Sequence, residues 1–176
     1  ILSTMSDRVD VDLITEPGRP TTIKTRYMGG QHQIVRVDRE QVTPVSRITE
    51  DRLIAALEDL PDDCGAIMLS DYGKGTLTDR VLAAAMAAAA KANVRVIIDP
   101  KRADWTAYAG ATVITPNRKE LQLAVHTPCA TDDECAAAAA AAMQLTGAAI
   151  LLTRSEQGMS LYRDGQTPLH LSAKAR

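Results

Sequence analysis

The sequence lacks phenylalanine, and its aromatic residues together make up only 3% of the 176 residues. Alanine is abundant instead, and it favours helices that pack closely against a sheet. The length is sufficient for one domain with a real core. Because each buried alanine removes little apolar area from water, we expect modest stability from this chain alone and dependence on neighbouring sequence.

Cysteine is scarce, and its spacing gives no sign of a metal site. The three cysteines, Cys64, Cys129 and Cys135, form no Cys-x-x-Cys pair, and the three histidines are scattered. This pattern excludes the common zinc motifs and favours reduced thiols in a cytoplasmic protein.

Long apolar runs and a strong charge of either sign are also missing. The net charge of -2 gives no reason to expect nucleic acid or an anionic membrane as a partner. The apolar runs are too short to span a bilayer, and the first residues lack the pattern of a signal peptide. Because the sequence begins at Ile1 and not at methionine, we expect it to be part of a longer chain, incomplete at both ends.

The first clear structural pattern is a β-hairpin over about residues 21–38. Two runs alternate with period two, are rich in β-branched residues and flank a turn at Gly29 and Gly30. Lys24, Arg26 and Met28 share one face. The hairpin is either an ordinary half-solvated sheet, which periodicity alone favours, or a lid whose basic side chains cover a polar ligand.

From about residue 48 to 176 the pattern alternates strands with helices and predicts one α/β core. Thr78 and Asn117 are candidate N-caps, and Thr131 opens a capping box. The predicted strands are 66–70, 94–98, 111–115 and 149–153, and a final hairpin pairs 159–162 with 168–171. Strands joined by helical crossovers predict a doubly wound parallel sheet.

Polar side chains follow each predicted parallel strand, at the edge where such sheets bind ligands. In chain order the groups are Asp71 and Lys74, Asp99 and Lys101, Asn117 and Glu120, and Thr153 and Ser155. Neither Gly-x-Gly-x-x-Gly after a strand nor a Gly-x-x-x-x-Gly-Lys-Ser/Thr loop is present, which excludes the two common nucleotide fingerprints. Four polar strand ends at one edge indicate a phosphate or sugar site.

Two lysines of this set are candidate phosphate ligands. Lys74 lies between glycines, which allow the backbone close to a ligand while the ammonium supplies a point charge. Lys101 has the same chemistry, although a salt bridge to Asp99 or Asp104 is an equal alternative.

The later strand ends favour a nucleotide and its metal. Asn117 is a natural N-cap, and a helix N-terminus also binds anions. Glu120, one turn further on, is suited to hold magnesium through water. Ser155 and Gly158 lie in a turn after a buried strand, where a hydroxyl and free N–H groups can meet a nucleotide.

Four phrases of this sequence resemble the ribokinase-like (PfkB-type) sugar kinases, and within them the D-glycero-β-D-manno-heptose 7-phosphate kinases. These phrases run from Leu69 to Gly75, Ile98 to Lys101, Ala111 to Asn117 and Leu152 to Met159. Residues 115–120 are similar to the family's Asn-x-x-Glu motif, and the 21–38 hairpin is similar to its β-lid.

The resemblance implies that ATP phosphorylates the anomeric hydroxyl of heptose 7-phosphate, the kinase step toward ADP-heptose and lipopolysaccharide. It implies ATP and Mg²⁺ as cofactors and a homodimer formed through the lid. Nucleotide and phosphate binding falls on Asn117, Glu120, Thr153, Ser155 and Gly158, with Glu120 also at the metal. Sugar-phosphate binding falls on Asp71, Lys74, Lys101 and Arg26.

The sequence also departs from the family. The family's Gly-Gly sugar motif near the N-terminus is absent, and so is its Gly-Ala-Gly-Asp motif, which carries the general-base Asp. Many relatives have lysine where this chain has Thr115, which leaves Lys101 as the candidate replacement. We therefore expect this segment alone to be inactive. Two other readings stay open: a non-catalytic fragment that binds ligand or dimerises, and a kinase for another sugar phosphate.

Overall fold

A computed structural model describes residues 10–173. In chain order it contains β1 (Ile23–Gly29), β2 (His32–Arg39), α1 (Arg47–Glu58), β3 (Ala66–Ser70), α2 (Asp79–Ala92), β4 (Arg95–Asp99), β5 (Val113–Ile114), α3 (Arg118–Val125), α4 (Asp132–Thr146), β6 (Ala149–Thr153), β7 (Met159–Tyr162) and β8 (Leu169–Leu171). Short 3₁₀ turns at Thr106–Tyr108 and Ser155–Gln157 complete the list.

The main sheet has six strands in the order β3-β4-β5-β6-β7-β8. Strands β3 to β6 pair in parallel, as the helical crossovers predict, and the β7–β8 hairpin extends the sheet in the antiparallel sense. The strand predicted at 111–115 is shorter than expected, because only Val113 and Ile114 form regular ladder pairs. Thr112 and Thr115 still donate their backbone N–H groups to β4.

The apolar core lies on one face of this sheet. Strand residues such as Ile98, Ile114 and Ile150 are fully buried against alanine-rich faces of α2 and α4. Small side chains let these helices lie close to the sheet, as the composition predicts. On the other face Met68 is 69% exposed. The α/β prediction is confirmed, and residues 10–173 supply one of the two helix layers that a doubly wound sheet has.

Helix starts follow the predicted local chemistry closely. Thr78 caps α2 by accepting from the Val81 N–H. Asn117 and Thr131 open α3 and α4 with complete capping boxes, in which the cap side chain and the glutamate three residues later exchange hydrogen bonds with each other's backbone. These signals are local, and this explains why the sequence predicts them well.

The β1–β2 hairpin forms a separate two-stranded sheet, as the sequence predicts for about residues 21–38, and it is called the lid only after its proposed role. One face is apolar, with Tyr27 opposite Val35 and Thr25 opposite Val37, and these side chains stay exposed. The other face is polar, and Lys24 forms an ion pair with Asp38 at 3.0 Å.

The cysteines are free thiols, in keeping with the prediction. Cys129 and Cys135 are buried side by side, and burial followed by the neighbouring thiol raises the pKa of Cys129 to about 12. A thiol with a raised pKa is poorly nucleophilic, and both cysteine side chains lie in the apolar core. None of the helices between residues 10 and 173 is long and apolar enough to cross a membrane.

Candidate active site

The carboxyl ends of the parallel strands meet at one edge of the sheet. Asp71 follows β3, and its N–H donates to the carbonyl of Asp99 at the end of β4 (2.9 Å). At the next boundary Asn117 forms a parallel bridge with Thr153 at the end of β6. The topology therefore brings the predicted polar strand ends into one row.

Asp71 is the most buried carboxylate of this row, and both its oxygens have protein partners. Oδ1 accepts from the Gly73 N–H at 2.7 Å, and Oδ2 accepts from the Tyr108 hydroxyl at 2.8 Å. The Arg102 guanidinium lies 3.7 Å from Oδ2. Burial and this hydrogen bond raise the pKa of Tyr108. These contacts give Asp71 a role in holding the following loop, beside its predicted role as a sugar-phosphate ligand.

Lys74 lies at the junction between that loop and the lid. Its ammonium forms an ion pair with Glu40, just after the second lid strand, and this hydrogen bond is the main cause that lowers the pKa of Glu40. Arg19 donates to the carbonyl oxygens of Lys74 and Thr43 and so ties the loop to the lid hinge. The sequence predicted Lys74 as a phosphate ligand, and the structure adds a carboxylate that competes for it.

Lys101 and Glu120 are brought together across the edge of the sheet. The ammonium lies 3.4 Å from Oε1 of Glu120, so the structure shows neither of the salt bridges considered for Lys101, to Asp99 or Asp104. Oε2 of Glu120 accepts from the Asn117 N–H at 3.0 Å, and Asn117 Oδ1 accepts from the Glu120 N–H at 2.9 Å. Asn117 is thus an N-cap, with Glu120 and Lys101 fixed beside it.

The protein side chains at this edge supply only part of a ligand set for magnesium. Among residues 10–173 no group of three or more histidine, cysteine, aspartate or glutamate side chains is arranged to hold a metal ion. Mg²⁺ in kinases commonly takes one or two carboxylates together with waters and substrate phosphates. Glu120, with Asp99 nearby, fits that kind of open site.

Among the carboxylates of this edge, Asp99 has a pKa that is raised by its surroundings. Partial desolvation raises its pKa first, then the negative charges of Glu120 and Asp71, whereas Lys101 opposes the shift. The negative charges of Glu120 and Asp71 therefore disfavour the ionised form of Asp99, and Lys101 compensates in part. The sequence identified Asp99 as a polar strand end without giving it a role.

Three of the five residues predicted on the nucleotide side, Thr153, Ser155 and Gly158, line one cavity, and Asn117 and Glu120 do not. Thr153, Ser155 and Gly158 form its wall with Met159 and Leu171, and its volume is about 390 Å³. The turn is tightly built: Ser155 has φ 52° and Gly158 has φ 85°. This cavity lies within the size range of small-molecule sites.

Arg26 is the predicted residue that the structure leaves apart from the others. It lies on the polar face of the lid, opposite Arg36 in the neighbouring strand. Within the described residues Arg36 pairs with Asp38, while Arg26 forms no ion pair. Two guanidinium groups directly opposite each other repel, which a bound anion would relieve.

Four polar residues of this region were not identified from the sequence: Glu40, Arg102, Tyr108 and Arg154. Each of the four contacts a residue that the sequence did identify, or a residue next to one. Arg102 and Arg154 directly follow predicted site residues, which was the only available signal. Glu40 and Tyr108 reach the site through tertiary folding alone.

Solved structures of sugar kinases share this arrangement of strands and helices. Ribokinase of Arabidopsis thaliana, solved with ribose and ATP, is 19% identical, with a TM-score of 0.61 over 88% of this chain and 49% of its own. Phosphofructokinase-2 of Escherichia coli, solved with fructose-6-phosphate, is 17% identical, with a TM-score of 0.60 over 81% of this chain and 49% of its own. The fold is therefore that of the ribokinase-like kinases.

Residues 3–175 match the family model described as pfkB family carbohydrate kinase, and the chain belongs to that family. A relative named Bifunctional protein HldE from Azorhizobium caulinodans is 48% identical over 93% of this chain and 34% of its own length. The protein of the same name from Paramagnetospirillum magneticum is 44% identical over 96% of this chain and 35% of its own. The chain thus spans about a third of the length of the curated relatives it matches.

Proposed function

We propose that this chain is part of an ATP-dependent kinase that phosphorylates heptose 7-phosphate at the anomeric hydroxyl and gives the 1,7-bisphosphate. Residues 1–176 form part of one kinase domain, with the lid at about 21–38 and the core at about 48–176. The observation that supports this proposal most directly is the row of polar residues at the carboxyl ends of the parallel strands. In this row Lys101, Glu120 and Asn117 lie in contact. In this proposal the protein is cytoplasmic and acts toward ADP-heptose and lipopolysaccharide.

On the nucleotide side, the chain's own residues bind and orient ATP. The cavity at Thr153, Ser155 and Gly158 receives the nucleoside, and the positive end of the α3 dipole, at the helix N-terminus, faces the phosphates. Glu120 and Asp99 would hold magnesium, which neutralises developing charge on the phosphates. Lys101 supplies positive charge to the transferred group.

On the sugar side, Lys74 and Arg26 recognise the phosphate that the substrate already carries. Asp71 holds the loop that carries Lys74, and Lys101 lies at the next strand end. Lys74 leaves its partner Glu40 when the more highly charged phosphate arrives. Because Glu40 directly follows the second lid strand, this exchange couples substrate binding to the lid. Closure of the lid excludes water from the transfer.

Catalysis requires a general base that these 176 residues do not contain in the family's motif. We expect the complete protein to phosphorylate heptose 7-phosphate with ATP and Mg²⁺ and the isolated segment to show no turnover, as measured by ADP release and product phosphorus NMR. Phosphorylation by the isolated segment would contradict this assignment. A panel of sugar phosphates decides between heptose and another substrate, and failure with all of them favours a non-catalytic binding fragment.

The lid also favours a homodimer. A two-stranded hairpin is marginally stable by itself, yet this one exposes an apolar face that includes Ile23, Tyr27, Val35 and Val37. Pairing with the lid of a second copy would bury that face. We expect Tyr27→Lys with Val35→Lys to convert a dimer of the complete protein to a monomer in analytical ultracentrifugation. A parent that is already monomeric at micromolar concentration would contradict the lid dimer.

A further inference from the structure

The turn after β6 is held by two arginine side chains that have no part in the function proposed above. Arg118 lies in the first turn of α3, and Arg154 directly follows β6. Both donate to one acceptor, the side-chain oxygen of Gln157: Arg118 through Nη2, and Arg154 through Nη2 at 3.2 Å. The result is a bridge, Arg118–Gln157–Arg154, between two elements of the nucleotide side.

Arg154 is the buried end of this bridge. Its side chain is only 8% exposed, and it forms an ion pair with Asp132 at the start of α4. Nη1 donates to Ser160 Oγ at 2.9 Å and lies 3.5 Å from His170 Nδ1. One guanidinium therefore joins the turn to α4, β7 and β8, which only the planar five-donor group of arginine can do.

The same residue closes the turn through its backbone. The Arg154 N–H donates to the Gly158 carbonyl at 2.8 Å, and the Gln157 N–H donates to the Arg154 carbonyl at 3.1 Å. Ser155 lies between them in the left-handed region, an unfavourable conformation for serine. The side-chain contacts of Arg154 and Gln157 help to keep this turn in its observed form.

Arg118 connects the bridge to the phosphate side. It directly follows Asn117, and its Nη1 donates to the Ala130 carbonyl at 2.9 Å, which fixes the guanidinium against the loop before α4. Through Gln157, the N-terminus of α3 and the cavity-lining turn are therefore held at a set separation. ATP has to reach both at once, with its phosphates at α3 and its nucleoside in the cavity.

We propose that Gln157 and Arg154 are positioning residues for the nucleotide, which they serve by fixing the turn at 155–158 relative to the N-terminus of α3. This inference rests on the proposed function and extends it to the affinity for ATP as distinct from the sugar. Gln157 is the sensitive point, because its amide oxygen is the acceptor that separates two cations. Without it the guanidinium groups repel and the turn moves away from α3.

The test uses the complete protein. We expect Gln157→Ala to raise the KM for ATP about tenfold while the KM for the sugar phosphate stays within about twofold, the effect of losing one charge-assisted contact. Gln157→Glu, which keeps an acceptor for both arginines, should remain close to the parent protein. Arg154→Lys keeps the positive charge but loses the planar guanidinium that reaches several acceptors at once. This variant should therefore resemble Gln157→Ala. Gln166→Ala, an exposed glutamine in the β7–β8 turn, is the matched control.

Binding of a non-hydrolysable ATP analogue, measured by calorimetry on the same variants, separates the possible failures. Unchanged analogue affinity in Gln157→Ala and Arg154→Lys, or equal changes in both KM values, would overturn the positioning role. Weakened analogue binding in a complete protein that phosphorylates no sugar would support the bridge and refute the kinase. A lower melting temperature with an unchanged affinity would show that the bridge serves the fold alone.

Discussion

Replacing Gly158 with alanine should destabilise the folded protein by about 3 kcal/mol or more and should abolish binding of the ATP analogue. A β-carbon at this position would lie 1.9 Å from the Leu171 carbonyl oxygen and 2.6 Å from the Ala173 N–H nitrogen. Both are backbone atoms, which cannot rotate away as a side chain could. The positive φ of 85° adds a further cost for alanine. Relief of the clash requires the strand at β8 to leave the turn, which opens the cavity wall.

Gly147→Ala is the matched control for this prediction. Gly147 also has a positive φ, 73°, but a β-carbon there meets nothing within 4 Å. Only the conformational cost applies, about 1 kcal/mol, and analogue binding should be unchanged. Midpoints of urea unfolding and calorimetric affinity of the complete protein measure both effects. Equal losses in the two variants would show that the close approach to Leu171 has no energetic consequence.

The sequence predicted best those features that depend on a few adjacent residues. The capping box at Asn117 and Glu120 is an example, because its two hydrogen bonds join residues three apart. The strand ends were predicted because parallel crossovers force them to one edge. The turn at Ser155 to Gly158 was predicted because it follows a buried strand, and the structure places Ser155 and Gly158 in the wall of one cavity.

Local sequence patterns could not predict the contacts between residues that lie far apart in the chain. Glu40 meets Lys74 only because the lid hinge folds back over the loop, with Gly75 packed against the Thr43 carbonyl. The choice of Glu120 as the partner of Lys101, over Asp99 and Asp104, likewise depends on the spacing of neighbouring strands. Residue types alone identify such groups as charged and close to the site, and the fold decides which of them are already paired.

Asp71→Ala is the second substitution with a large expected effect, about 3 kcal/mol of lost stability. The side chain is 6% exposed and serves three groups, the Gly73 N–H, the Tyr108 hydroxyl and the Arg102 guanidinium. Alanine would leave the fully buried Tyr108 hydroxyl and the Gly73 N–H without this acceptor, and an unpaired buried group costs more than the bond itself gains. Asp71→Asn keeps one acceptor oxygen and should lose less.

Asp79→Ala provides the control, because Asp79 binds the same guanidinium from the other side. Its carboxylate accepts from Arg102 Nη1 at 2.6 Å, but it is 84% exposed. Water replaces such a partner readily, so the loss should be at most about 1 kcal/mol. Thermal and urea unfolding of the complete protein compare the two variants. A stable Asp71→Ala protein with a raised KM for the sugar phosphate would identify Asp71 as a ligand, whereas a large loss of stability would identify it as the anchor of the loop that presents Lys74.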